Sequence, residues 1–399
     1  MATPNLALIP SGIKATKVYS VLPNNGDGDF TFDRASTATR INKDGLIESV
    51  ATDVPRLNYE LTNGVAADCP SLLLEPSRTN KINYHIPNSN WVIENGAVVT
   101  ENYAVSPDGT QNASRIQLDN SGASSLTRIF KNITPDSTAD SISFYIKSNT
   151  GSAFDISFYL RDQGFGTVRF SNTSLSATTE WSRVTIENQD LSGAAADVML
   201  LFYNTTSDES WDFLLYGVQG EAGSYSTSLI PTDGSTQTRV AETCNGAGTA
   251  STFNSTEGVL YAEIASLTGA ANNSDRRIVL AKSGDTNNVI RLHYNNTSNT
   301  IQFKVRVAST NVCDLTYDLG DSTEYHKICG KYKQNDFALW VDGVEVATDT
   351  SGAVFPADTL NTVNFSNANA SGDEFYGKVK ELRVYNEALT DAQLQTLTT

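Results

Sequence analysis

The residue types that most often carry catalysis are thinly spread in this chain. Its three histidines, His85, His293 and His326, stand in separate segments with no ligand or general base at motif spacing. No Gly-Xaa-Ser-Xaa-Gly elbow, phosphate-binding loop or dinucleotide fingerprint occurs. The neighbouring carboxylates Asp208-Glu209 and Asp373-Glu374 would point to opposite faces of a strand, which suits solvated loop charge better than paired acid-base work. Four cysteines, Cys69, Cys244, Cys313 and Cys329, are too few for a disulfide scaffold and lack the CxxC spacing of zinc sites. They read mainly as small buried hydrophobes, although Cys313 and Cys329 lie in neighbouring strand-like runs that a disulfide could bridge. Binding is therefore expected here rather than bond-breaking.

Sugar binding needs a different kit: an aromatic ring for the C–H face of a pyranose, and polar side chains for its hydroxyls. Two similar runs, Ser141-Ile-Ser-Phe-Tyr-Ile-Lys147 and Asp155-Ile-Ser-Phe-Tyr-Leu-Arg161, place Tyr145 and Lys147, and Tyr159 and Arg161, opposite their apolar residues. If the two runs share a sheet, two tyrosines and two cations form one surface, suited to a saccharide or to a packing partner. Trp211, like Trp181, borders a strand and suits the core as well as stacking, and Trp340 at a hairpin mouth reads as structural.

The elements that must position these residues are strands. Short alternating runs separated by Gly, Asn, Asp and Ser recur along the chain, including Val198 to Asn204, Trp211 to Gln219, Glu257 to Ile264 and Ile301 to Val307. Asp342-Gly343, between Trp340-Val341 and Val344-Glu345-Val346, is a strong hairpin signal. Only Ala388 to Leu397 reads as helix, with Thr390 as N-cap and Leu389, Leu394 and Leu397 on one stripe. The expected class is all-β: an irregular region over 1–84, an antiparallel jelly-roll sandwich over 85–240, and a second sandwich with a short terminal helix over 241–399. The first 84 residues hold little core of their own, so they are expected to fold against a neighbour, either the next domain or another chain; Leu72-Leu73-Leu74 suits such burial.

With 399 residues and a net charge of −17, the chain has enough apolar sequence for real cores. The charge is −1 over residues 1–84, −10 over 85–237 and −6 over 238–399, so no segment is basic. Nucleic acid and anionic membranes are poor partners, because phosphate binding depends on Lys and Arg. No apolar run approaches the roughly 20 residues of a membrane helix. The first residues show no basic region followed by an apolar stretch, so no secretory signal peptide is expected.

The stretch from Asp29-Phe-Thr-Phe-Asp-Arg34 through Lys43-Asp-Gly-Leu-Ile47, then Val54-Pro-Arg-Leu57, Cys69-Pro-Ser-Leu-Leu-Leu-Glu-Pro-Ser-Arg-Thr-Asn80 and Ser228 to Arg239, resembles tailed-bacteriophage virion proteins of the fibre or adhesin type. The C-terminal unit is similar to laminin G-like, concanavalin A-like domains through Phe337 to Val346 and Gly377 to Leu394. The resemblance implies an N-terminal region docked to other virion proteins, a carbohydrate-binding-module-like jelly roll, and a sandwich projecting toward host-surface polysaccharide from the outside of a virion assembled in the host cytoplasm. It also implies a homotrimer, in which weak sites gain by multivalency. A head fibre or capsid decoration protein is the alternative within this class. Glucanases of similar architecture carry alternating acidic residues on one strand; no such run occurs here, which disfavours a capsule-modifying enzyme. No cofactor is implied except calcium, for which Asp275, Asp285, Asn287 and Asn288 are candidates, although Asp and Asn also serve ordinary turns.

Overall fold

The computed structural model describes residues 2–121, 126–135, 138–194, 196–205, 209–270, 276–369 and 372–399. The described elements are antiparallel strands and one helix, Asp391–Thr398. Two five-stranded sheets share a core in the middle of the chain. One runs in the order Val92–Glu94, Arg128–Ile133, Val198–Tyr203, Phe154–Asp162 and Val168–Ala177; the other runs Val98–Val105, Gln111–Asp119, Ser210–Ala222, Asp140–Ser148 and Ser182–Gln189. Ile142, Phe144 and Ile146 from the second sheet meet Ile156, Phe158 and Leu160 from the first in one buried cluster. The pairing leaves both sheets open, as antiparallel paths with free edges rather than a barrel closed by hydrogen bonds.

That arrangement corrects the expected pairing of the two similar runs. Strands Asp140–Ser148 and Phe154–Asp162 belong to opposite sheets, so the turn residues between them make a crossover and not a hairpin. Each strand alternates apolar with polar residues, and both turn the apolar side toward the other. Their polar sides must then face away on opposite surfaces.

The larger unit is built from both ends of the chain. Its nine-stranded sheet runs from Ile13–Lys14, Lys17–Val18 and Phe30–Asp33 through Thr243–Ala247 and Thr362–Asn364 to Arg276–Lys282, Asp285–Tyr294, Thr300–Val307 and Thr310–Asp318. In the facing sheet, Gly377–Tyr385 pairs with Glu257–Ser266 on one side and with both Leu6–Leu8 and Ser71–Leu74 on the other. Leu72, Leu74, Phe30 and Phe32 are fully or almost fully buried in the same cluster as Phe303 and Leu382. The region over 1–84 thus gains most of its core from the last part of the chain, while Ile41 and Ile47 pack against Tyr216 and Leu229 of the sandwich that follows it in sequence. The sheets approach closely: a Cβ on Gly330 would sit 2.1 Å from the Phe303 ring, so that position has room only for hydrogen.

The remaining local signals take the expected form. Asp342 and Gly343 both have positive φ, 47° and 82°, between strands Phe337–Val341 and Val344–Asp349, the geometry of a type I′ turn. In the terminal helix, the Thr390 N–H donates to Gln393 Oε1 at 2.9 Å, while Leu394 and Leu397 pack with Val259 and Tyr385. Cys313 and Cys329 are not bridged. They lie in different sheets, Cys313 facing the main core and Cys329 a separate cluster, and all four thiols are free. Burial pushes the Cys313 thiol up to about 12, so it behaves as a hydrophobe.

Residues of the N-terminal signatures converge on a buried charged network. Arg56 donates through Nη1 to Glu75 Oε2 at 2.7 Å and through Nε to Glu242 Oε1 at 2.8 Å. Arg34 Nη1 reaches Glu242 Oε1 at 2.7 Å, and Arg239 Nη1 reaches Glu75 Oε2 at 2.8 Å. All five side chains are buried. Burial pushes the Glu75 carboxyl up, but Arg239, Arg56 and the Ser228 hydrogen bonds outweigh it and hold the group well below the usual range. Beside this network, Arg78–Asn80 pairs with Gln237–Arg239, the strands by which the chain enters and leaves the middle sandwich.

Candidate functional site

The sheet containing Phe154–Asp162 carries an open recess. Along that strand the outward positions are Asp155, Ser157, Tyr159 and Arg161, because Ile156, Phe158 and Leu160 take the core. Asp155 and Ser157 line a groove of about 560 Å³, joined by Thr173, Thr205, Glu209 and the rim of Trp211. Thr173 is placed by a bulge: the pairing of Ile156 with Leu175 and Phe158 with Asn172 leaves extra backbone between them. Trp211 itself is 5% exposed and belongs to the core, so it offers the groove an edge rather than a face.

The groove opens beside an aromatic patch. Tyr203 lies one residue beyond Phe202, the partner of Phe158, and its ring stands 6.1 Å from that of Tyr159. Both are half-buried over Met199 and Leu201. Phe165, held at a positive φ of 61°, folds onto the same patch; Arg128 stacks on its ring at 4.0 Å and Arg161 at 5.7 Å. Arg161 also donates from Nε to the Gly166 carbonyl at 2.8 Å. The cation expected to read a ligand is thus engaged by its own loop.

Of the sequence-level candidates, Tyr159, Arg161 and Trp211 come together on or beside this face, and Tyr145 and Lys147 do not. Tyr145 is on the outer surface of the opposite sheet, packed with Ile47, Tyr216 and Leu229, with Arg183 over its ring at 5.7 Å. Lys147 faces Glu180 at 3.5 Å on that same side. The four-residue surface expected from the similar runs does not exist, because the crossover places its halves on opposite sides of the sandwich.

The candidate cation ligands serve a turn. Asp285 accepts from the Asn287 N–H at 2.7 Å and from Asn288 Nδ2 at 2.8 Å, and these bonds hold its carboxyl below the usual range. Asn287 Oδ1 accepts from Ser309 and Asn288 Oδ1 from the Ala308 N–H, so the side-chain oxygens tie together two adjacent hairpin ends. Asp275 lies outside the described residues. Among the described residues no group of three or more His, Cys, Asp or Glu could hold a metal ion.

The other reactive types are also engaged structurally. His326 sits between Asp342 Oδ2 at 2.6 Å and the Asp321 carbonyl at 2.9 Å. His85 Nδ1 accepts from the Thr232 N–H at 3.0 Å, and burial lowers its basicity. Asp373 pairs with Arg277 at 2.6 Å while Glu374 accepts from the Gly372 N–H, so these adjacent carboxylates do not act together; Asp208 lies outside the described residues. A second recess, about 360 Å³, lies at the other end of the sandwich between Lys81 and Lys131. Lys81 there pairs with Asp140 at 2.6 Å, and Lys131 donates to the Asn90 carbonyl at 2.8 Å.

Sequence reasoning missed Thr173 and Thr205, and read Glu209 with Asp208 only as solvated loop charge. Nothing local marks them, since each reaches the groove through the end of a different strand or a bulge, while the alternation of Asp155, Ser157, Tyr159 and Arg161 was visible in one run.

Residues 267–395 match the family model described as the concanavalin A-like lectin/glucanases superfamily. The match supports the concanavalin A-like reading of the C-terminal unit. A comparison with curated proteins gives no match. Among solved structures, the chain is similar to the CBM40 of Ruminococcus gnavus IT-sialidase bound to α2,3-sialyllactose, at 16% identity over 39% of this chain and 94% of that chain, with a TM-score of 0.32. It is also similar to domain 4 of AbnA, a GH43 extracellular arabinanase from Geobacillus stearothermophilus, in complex with arabinotriose, at 15% identity over 40% and 73% of the two chains and a TM-score of 0.31. A third is the CBM22-1 xylan-binding domain from Paenibacillus barcinonensis Xyn10C, at 14% identity over 39% and 94%, with a TM-score of 0.25. At TM-scores this low the similarity bears on neither ligand nor activity.

Proposed function

We propose that the protein binds glycans without cleaving them, and that the groove beside Tyr159 and Tyr203 is the sugar site. The observation that carries this reading is the groove itself: hydroxyls of Ser157, Thr173 and Thr205 and the carboxylates of Asp155 and Glu209 beside an aromatic pair. These groups suit the hydroxyls and C–H faces of a sugar ring. Asp155 and Glu209 are both exposed, so their oxygens are open to the hydroxyls of a bound ring. The groove therefore offers grip.

We place this activity on the exterior of a tailed-phage virion, as a tail fibre or adhesin directed at host-surface polysaccharide, most simply as a homotrimer. Support for that setting is the resemblance of the Asp29–Ile47, Cys69–Asn80 and Ser228–Arg239 segments. A head fibre or capsid decoration protein uses the same architecture, and imaging of the intact particle separates the two. The docking role of residues 1–84 in this setting falls to surfaces outside the strands that they contribute to the larger unit.

The test is a glycan array probed with the full chain and with Thr173→Trp, a bulky change at an exposed groove position. Binding lost in Thr173→Trp at unchanged melting temperature supports the site. Absence of any glycan signal, or release of reducing sugar from host envelope, overturns the reading.

A further inference from the structure

We infer that the groove selects uncharged or ammonium-bearing sugars and rejects carboxylated ones, an inference that rests on its being the glycan site. Its lining holds two ionisable side chains among the described residues, Asp155 and Glu209, and both are carboxylates. No Lys, Arg or His among those residues lines it. A uronate or sialate entering would bring a third negative charge against two fixed ones, with no cationic side chain among the described lining residues to receive it.

The cations on the same face are committed elsewhere. Arg161 is held by the Gly166 carbonyl and the Phe165 ring. Arg128 pairs with Glu94 at 2.6 Å while stacking on the same ring. Neither lines the groove. The surrounding field has the same sign, since residues 85–237 carry a net charge of −10. A neutral ring meets no such opposition: its hydroxyls donate to the carboxylates, and charged acceptors make the stronger hydrogen bonds. The ammonium of a deacetylated amino sugar gains further from the same two groups.

The distinction is built from groups that can be exchanged without touching the core, because Asp155 and Glu209 are both exposed. The experiment is an array carrying neutral, amino, uronic and sialylated oligosaccharides, probed with the full chain, with Thr173→Trp, and with the double variant Asp155→Lys plus Glu209→Lys. The expected result is that every glycan whose binding is lost in Thr173→Trp lacks a carboxylate. The double variant is expected to weaken neutral and amino sugars and to bind uronic or sialylated ones at least about tenfold more tightly than the parent does. A groove-dependent ligand of the parent that carries a carboxylate overturns the inference while leaving the glycan site standing. A double variant that still discriminates as the parent does also overturns it. No groove-dependent ligand of any charge overturns the glycan site itself.

Discussion

Phe144 and Phe158 meet across the core of the middle sandwich with ring centroids 5.2 Å apart, although they occupy matching places in two look-alike strands. That contact fixes the outward direction of their neighbours, Tyr145 and Tyr159, on opposite surfaces. Replacing either phenylalanine by alanine should cost about 3–5 kcal/mol in urea unfolding, because a fully buried aromatic leaves a cavity. Tyr145→Ala and Tyr159→Ala should instead be additive within about 0.5 kcal/mol in a double-mutant cycle, having no shared partners. A larger coupling would mean that the two strands share a face after all.

The charged network predicts an asymmetric response. Glu242 is the shared partner of Arg34 and Arg56, and all three are buried. Glu242→Gln takes from Arg34 its carboxylate partner and leaves Arg56 only Glu75, and should destabilise the protein by about 3–5 kcal/mol, measured by chemical denaturation. Exposed pairs such as Lys333–Glu257 should show no comparable loss on Glu257→Gln.

The strand pairing predicts how the chain divides. Residues 241–399 alone lack Leu6–Leu8, Phe30–Asp33 and Ser71–Leu74, whose side chains complete the core around Phe303 and Leu382. That fragment should give no cooperative thermal transition by circular dichroism. Residues 78–239, whose two sheets close over their own cluster, should unfold cooperatively by the same measurement.

Acid should act in two stages. Burial lowers the pKa of His85 from its ordinary 6.5, so the folded state disfavours its protonated form. The stability this contributes is present above about pH 6.5 and is lost as pH falls below that value. Glu75 is depressed from its ordinary 4.5, so its contribution is present above about pH 4.5 and drains away below it. Melting temperature against pH should therefore fall first from about pH 6.5 and again from about pH 4.5. His85→Asn should remove the first fall and leave the second.

The fold class and most strands were legible because burial on one face imposes a period of two, which any single run displays. The Asp342-Gly343 turn and the Thr390 helix start were legible because they depend on a few adjacent residues. Which sheet a strand joins was not. The residues after Ser148 have the composition of a hairpin turn, yet they carry the chain across to the other layer, and only the mutual burial of Phe144 and Phe158 decides between the two. The same limit hid the groove, whose Asp155, Thr173 and Glu209 come from distant stretches. It also hid the network in which Arg34 finds Glu242 across 208 positions.

The narrow neck formed by Arg78–Asn80 and Gln237–Arg239 has a consequence for how such chains diversify. Because the polypeptide departs from the larger unit and returns to it at hydrogen-bonded neighbours, everything between is, for the host sheets, a single very long loop. Another module with equally close termini can be spliced in at that point, provided that it keeps the contacts of Ser228 with Glu75 and Arg56 and of Leu229 with Thr39. Specificity can then be traded as a cassette while the part assembled from both ends of the chain stays as it is.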